Sequence, residues 1–131
     1  MAYSRTILLR NNYFIGTYAV VTKNIWKNQT FDELKEKIQN KENFVLDLFA
    51  TWCGPCKIML GNLEKVNESL AKEPKGSPNF NVYKFDIEQD MDLMKEWGVR
   101  GVPTIKIFRD GEEVFSKPGV MSPDQVLNLL N

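Results

Sequence analysis

Two cysteines stand three positions apart in the segment Trp52-Cys53-Gly54-Pro55-Cys56-Lys57, and the chain has no others. The apolar run Phe44-Val45-Leu46-Asp47-Leu48-Phe49-Ala50 leads straight into them, and an amphipathic stretch leads out. Gly54 and Pro55 suit a tight turn, so the segment reads as strand, turn, helix. A helix opening at Cys53 turns its first unpaired N–H groups, and the positive end of its dipole, toward the first sulfur. That environment favours the thiolate, the nucleophilic form of cysteine. Cys56 falls one turn on, on the same helical face, where its sulfur can approach that of Cys53 closely enough to bond.

Composition narrows the chemistry open to this pair. With no histidine in the chain, histidine base catalysis and His-containing zinc sites are excluded. Zinc on the two cysteines would need two further ligands from carboxylates or another subunit, and an iron–sulfur cluster needs thiolates the sequence lacks. Covalent haem attachment fails at Lys57, where that motif requires histidine. A disulfide closing so short a loop constrains the unfolded chain too little to staple a fold, and 131 residues can build one domain's core without a staple. Chemistry therefore explains the pair better than stability does. Seventeen basic and seventeen acidic residues cancel, so no net field draws the chain to nucleic acid or a membrane surface. No apolar run reaches the roughly 18 residues of a membrane span.

Taken in order, residues 24–27 read as a short strand. Thr30-Phe31-Asp32-Glu33 has the spacing of a capping box and predicts a helix to about residue 40, with Phe31, Leu34 and Ile38 on its apolar face. The run at 44–50 has the continuous apolarity of a strand covered on both faces, interrupted by Asp47 alone. The helix from Cys53 to about Ala71 carries the stripe Met59, Leu63, Val66 and Leu70. A Pro- and Gly-bearing surface loop at 73–79 precedes a strand at 82–86. A short helix at 91–97 ends at Gly98, and a loop through Gly101-Val102-Pro103-Thr104 leads to strands at 105–109 and 112–117, joined by the hairpin signal Asp110-Gly111. Ser122-Pro123-Asp124-Gln125 caps the last helix. This order predicts an α/β fold with a single central mixed β-sheet flanked by helices on both faces.

Residues 1–31 carry Arg5, Arg10, Lys23 and Lys27 but no acid before Asp32, a bias shared with mitochondrial presequences. The plainer alternative for residues 1–23 is an arm or extra strand, since Tyr13, Phe14, Ile15, Tyr18, Val20 and Val21 look like packing residues. Arg10, Asn11 and Asn12 break the run that a secretory signal would need.

Over residues 24–131 the sequence resembles the thioredoxin family. Phe49-Ala50-Thr51-Trp52-Cys53-Gly54-Pro55-Cys56-Lys57 looks like its active-site segment, and Gly98 to Thr104 like its cis-proline loop. Gly119 looks like the glycine that flanks the site, and Asp47 and Lys84 like the buried acid and its lysine neighbour. Gly61 departs from the family's helix-kinking proline, and Phe49 from its frequent tryptophan.

The resemblance implies the thioredoxin fold over 24–131, with 1–23 as an N-terminal extension, and a protein-disulfide reductase cycling between dithiol and disulfide. In that cycle Cys53 is the nucleophile, Cys56 resolves the mixed disulfide, Asp47 relays a proton, and Lys84 tunes Asp47. Buried in an apolar strand, Asp47 should have a raised pKa, although it could instead be merely hydrogen-bonded at a strand end. Pro103 is expected cis and facing Cys53, within a substrate-docking rim of Trp52, Gly54, Pro55, Ile87, Val102, Pro103 and Gly119. No cofactor or metal is expected, since electrons would come from an external thioredoxin reductase. The expected partners are protein disulfides, with no nucleic acid and no membrane, and the chain is expected to be a cytoplasmic monomer, or mitochondrial if the leader is a presequence. The alternatives are a reductase serving one client and a non-enzymatic binding subunit that assembles through its N-terminal extension.

Overall fold

The computed structural model describes residues 27–72 and 79–131, with Ile25 and the backbone of 14–15 and 18–19. Strands β1 (Phe14–Ile15) and β2 (Tyr18–Ala19) pair antiparallel in a two-stranded sheet of their own. The rest of the N-terminal extension and residues 73–78 of the loop expected at 73–79 lie outside the described residues.

The main sheet holds β3 (Phe44–Phe49), β4 (Asn81–Asp86), β5 (Thr104–Arg109) and β6 (Glu112–Pro118) in the order β4-β3-β5-β6. β3 runs parallel to β4 and antiparallel to β5, and β5 antiparallel to β6, which is the expected mixed sheet. Helices α1 (Phe31–Gln39), α2 (Gly54–Ala71), α3 (Met91–Glu96) and α4 (Pro123–Leu130) supply the flanking layers. Successive strand residues point to opposite faces, so β3 feeds two cores. Phe44, Leu46 and Leu48 pack in one core with Leu34 of α1, Leu93 of α3 and both cysteines. Val45 packs in the other with Val126 and Leu130 of α4 and the expected α2 stripe of Met59, Leu63, Val66 and Leu70. By this alternation Asp47 and Phe49 turn to the α2 side.

The expected capping boxes are present at Thr30 with Glu33 and at Ser122 with Gln125. Of the strand expected at 24–27, only Ile25 and Lys27 are described, and neither is in a strand. Ile25 is buried in a 3-10 turn, and among the described residues before α1 the chain meets the edge of β4 through a parallel bridge from Asn28 to Lys84, where the Gln29 N–H donates to the Lys84 carbonyl at 3.0 Å. Thr30 begins α1 so soon afterwards that the chain must turn away at once.

The hairpin between β5 and β6 uses Asp110 and Gly111 at φ 52° and 79°, the conformation predicted for that dipeptide. Its tip docks on the end of α1: the Gly111 N–H donates to the Glu42 carbonyl, and a Cβ on Gly111 would run into the Ile38 carbonyl oxygen. Gly111→Ala is therefore expected to cost about 2 kcal/mol or more, read as a lowered denaturant midpoint with unchanged slope.

Candidate active site

The site begins where β3 ends. The chain turns through Ala50, Thr51 and Trp52, with the Cys53 N–H donating to the Ala50 carbonyl at 3.2 Å, and Cys53 becomes the N-cap of α2. Its Sγ accepts the Cys56 N–H at 3.1 Å, so an orphan donor of the first helical turn meets the sulfur as the sequence predicts. Pro55 costs that turn nothing, because a backbone N–H at the start of a helix would have no partner. Cys53 and Cys56 are joined in a disulfide with their Cα atoms 5.3 Å apart. Both are buried, while Gly54 and Pro55 are exposed and Trp52 stands 69% exposed beside them.

The loop after α3 forms the facing wall. The Val102–Pro103 peptide is cis, as the resemblance implied, and the Val102 carbonyl oxygen lies 3.7 Å from Cys53 Sγ. Thr104 Oγ1 donates to the Gly101 carbonyl at 2.7 Å, which folds the loop on itself. The Gly119 N–H donates to the Pro103 carbonyl at 2.8 Å, bringing the end of β6 to the same place. Of the residues assigned to a rim, Pro103 and Ile87 are buried, and Ile87, only 3% exposed, packs with the two cysteines and supports the rim from beneath. Its place at the start of a 3-10 turn (Ile87–Gln89) just after β4 turns it inward.

Behind the disulfide lies a cavity of about 200 Å³ lined by Asp47, Phe49, Ala50, Thr51, Cys56, Lys57, Leu60 and Lys84. Asp47 is buried, and neither carboxyl oxygen has a hydrogen-bond partner among the described residues, so it is not the hydrogen-bonded strand-end acid of the plainer alternative. Burial pushes its pKa from 3.8 up to about 7, and the positive charge of Lys84, its register partner on β4, opposes that rise. Asp47, Lys84 and Cys56 thus share one space.

Two polar features escaped the sequence reading. Thr51 Oγ1 donates to Glu88 Oε1 at 3.3 Å and ties the active-site turn to the loop after β4. Lys106 is buried and donates to Glu113 Oε1 at 2.8 Å, to Ser116 Oγ at 3.1 Å and to the Trp97 carbonyl at 3.4 Å, so it fixes the end of α3, from which the Pro103 loop departs. A lysine inside the otherwise apolar run at 105–108 was the available signal. Among the described residues no group of three or more Cys, Asp or Glu side chains could hold a metal ion, and no helix is long and apolar enough to cross a membrane.

A sulfur pair that closes on itself at a helix N-terminus, backed by a buried acid and faced by a cis-proline loop, is built to exchange a dithiol for a disulfide, which defines a thiol–disulfide oxidoreductase. Residues 24–131 match the thioredoxin family, and the chain belongs to it. It is similar to the thioredoxin of Rickettsia felis, 32% identical over 97 residues that cover 74% of this chain and 87% of that one. It is also similar to the chloroplastic thioredoxin Y1 of Arabidopsis thaliana, 32% identical over 102 residues covering 77% of this chain and 56% of the relative. Among solved structures, a mutant thioredoxin of Halobacterium salinarum superposes with a TM-score of 0.63 at 34% identity, covering 79% of this chain and 84% of that one. The protein is a protein-disulfide reductase of the thioredoxin type. The comparisons favour this over a non-enzymatic binding subunit.

Proposed function

We propose that the protein reduces a range of protein disulfides in the following cycle. The Cys53 thiolate attacks one sulfur of the substrate disulfide, the other sulfur leaves as a thiolate, and a mixed disulfide joins Cys53 to the substrate. Cys56 then gives its proton to the Asp47 carboxylate and attacks Cys53 Sγ. The second substrate sulfur leaves, two electrons have passed to the substrate, and the Cys53–Cys56 disulfide remains. The observation that carries this reading is the hydrogen bond from the Cys56 N–H to Cys53 Sγ at the start of α2, because the donor that stabilises the sulfur comes from the residue that later resolves it.

Asp47 suits the relay, since a carboxyl with a pKa of about 7 exchanges its proton near neutral pH. Trp52, Gly54, Pro55, Val102, Pro103 and Gly119 form the docking rim, where an extended substrate segment pairs with the Val102 backbone as an added strand. A thioredoxin reductase returns the disulfide to the dithiol, and no cofactor is held by the chain itself. Residues 24–131 are the catalytic domain and 1–23 an extension to it. The protein works as a monomer in the cytoplasm, or in the mitochondrial matrix if the acid-poor N-terminus is an import signal.

The test is insulin reduction by dithiothreitol with and without the protein. Marked acceleration is the expected result, and a rate equal to dithiothreitol alone would end the reading.

A further inference from the structure

Phe49 takes no part in the sulfur chemistry, yet it lines the same cavity as Asp47, Cys56 and Lys84. Asp47 and Phe49 lie two residues apart on one face of β3, and in the parallel register Lys84 stands directly across from Asp47. The Lys84 ammonium sits over the Phe49 ring, 5.5 Å from its centroid. Among the described residues Lys84 has no carboxylate within ion-pair distance. A half-exposed lysine without such a partner gains hydration and rotamer freedom by swinging its ammonium into water. The negative face of an aromatic ring opposes that movement.

We propose that Phe49 is a positioning residue: its ring holds the Lys84 ammonium beside Asp47 and so sets the pH at which the Asp47 carboxyl exchanges its proton. Among the described residues two cations face the cavity, Lys84 from β4 and Lys57 from α2, and Asp47 is the only acid lining it. Cys56, also from α2, is held in the disulfide here. From the other side β5 sets Ile105 opposite Asp47 and brings no charge. Among the described residues the Phe49 ring meets the ammonium of Lys84 and not that of Lys57, so the ring acts through Lys84.

The sign follows from the charge. A nearby cation favours the carboxylate, so releasing Lys84 makes Asp47 harder to ionise, and at a given pH less of it can take the Cys56 proton. The proposal rests on the relay reading for its catalytic meaning, and its test reads Asp47 directly. The Asp47 midpoint is followed by carbon NMR of labelled aspartate carboxyls in the oxidised full-length protein, with Asp47→Asn assigning the signal. Phe49→Leu is expected to raise the midpoint by about half a pH unit. Phe49→Met provides a second ring-free variant should the leucine protein fail to fold. Phe49→Trp, which keeps a ring, is expected to hold the wild-type midpoint. Lys84→Met is expected to raise it at least as far as Phe49→Leu, and adding Phe49→Leu to Lys84→Met to raise it no further. An unmoved midpoint in the ring-free variants, or an equal shift with Lys84 already removed, would overturn the proposal. If Asp47→Asn resolves the mixed disulfide at the wild-type rate, the relay fails, while the midpoints still decide the role of Phe49.

Discussion

Cys53→Ser is expected to reduce insulin no faster than dithiothreitol alone, and Cys56→Ser to stop after a single attack with the substrate still attached. The two sulfurs look equivalent in a disulfide, and their surroundings separate them. Cys53 Sγ takes a backbone N–H at the helix start and lies 3.7 Å from the Val102 carbonyl, at the mouth of the groove. Cys56 lies one turn into α2 and lines the cavity that holds Asp47. A serine hydroxyl at 53 is no nucleophile at neutral pH without an activating base, and the sequence contains no histidine to be one. A serine at 56 leaves the attack intact and removes the resolution. A well-placed intramolecular thiol acts at an effective concentration of about 10^5 M or more, which millimolar dithiothreitol cannot match. The adduct should therefore accumulate as a band on a non-reducing gel, absent for Cys53→Ser and dispersed by excess reductant. A protein that worked only as a binding subunit would keep its function in both variants.

How far the sequence discloses this site depends on how local each signal is. The strand before Cys53, the helix after it, both capping boxes and the Asp110-Gly111 hairpin are decided by neighbours a few positions apart, and they form as expected. Asp47 could be singled out because a carboxyl within an apolar strand conflicts with its surroundings. The features that went unread join residues distant in the chain. Lys106 looks like an error in an apolar strand until Glu113, Ser116 and the Trp97 carbonyl come around its ammonium. Thr51 and Glu88 are 37 positions apart and meet only across the site. Ile87 was placed in the rim by resemblance alone, and nothing in its immediate sequence says which way a 3-10 turn will face. Phe49 could be seen only as a departure from a family pattern, since its contact with Lys84 needs two strands in register.

Asp47→Asn is expected to move stability and activity in opposite directions. The folded pKa of about 7 lies above the ordinary value of 3.8, and burial is the larger cause, partly offset by Lys84. Between those two values the folded protein keeps a proton that the unfolded chain has released. The contribution of Asp47 to stability is thus fully present below about pH 3.8 and is lost as the pH rises to about 7. Above that the loss is constant, on the order of 4 kcal/mol at 1.36 kcal/mol per pKa unit. Asparagine keeps the size of the carboxyl and cannot ionise, so the variant should gain stability at pH 8, raising the melting temperature by roughly 10 °C, and gain almost nothing near pH 3. The resolving step should slow by about 10^2, the lower range for losing a positioned base, and should lose its rise through neutral pH. Each half excludes a different explanation. A stability gain with an unchanged resolving step would leave Asp47 a buried liability with no part in the chemistry. A slowed step with no pH-dependent stability gain would mean that the carboxyl is not desolvated as its burial implies. Both together would mean that the domain carries an ionised acid in its interior because the second cysteine needs somewhere to put its proton.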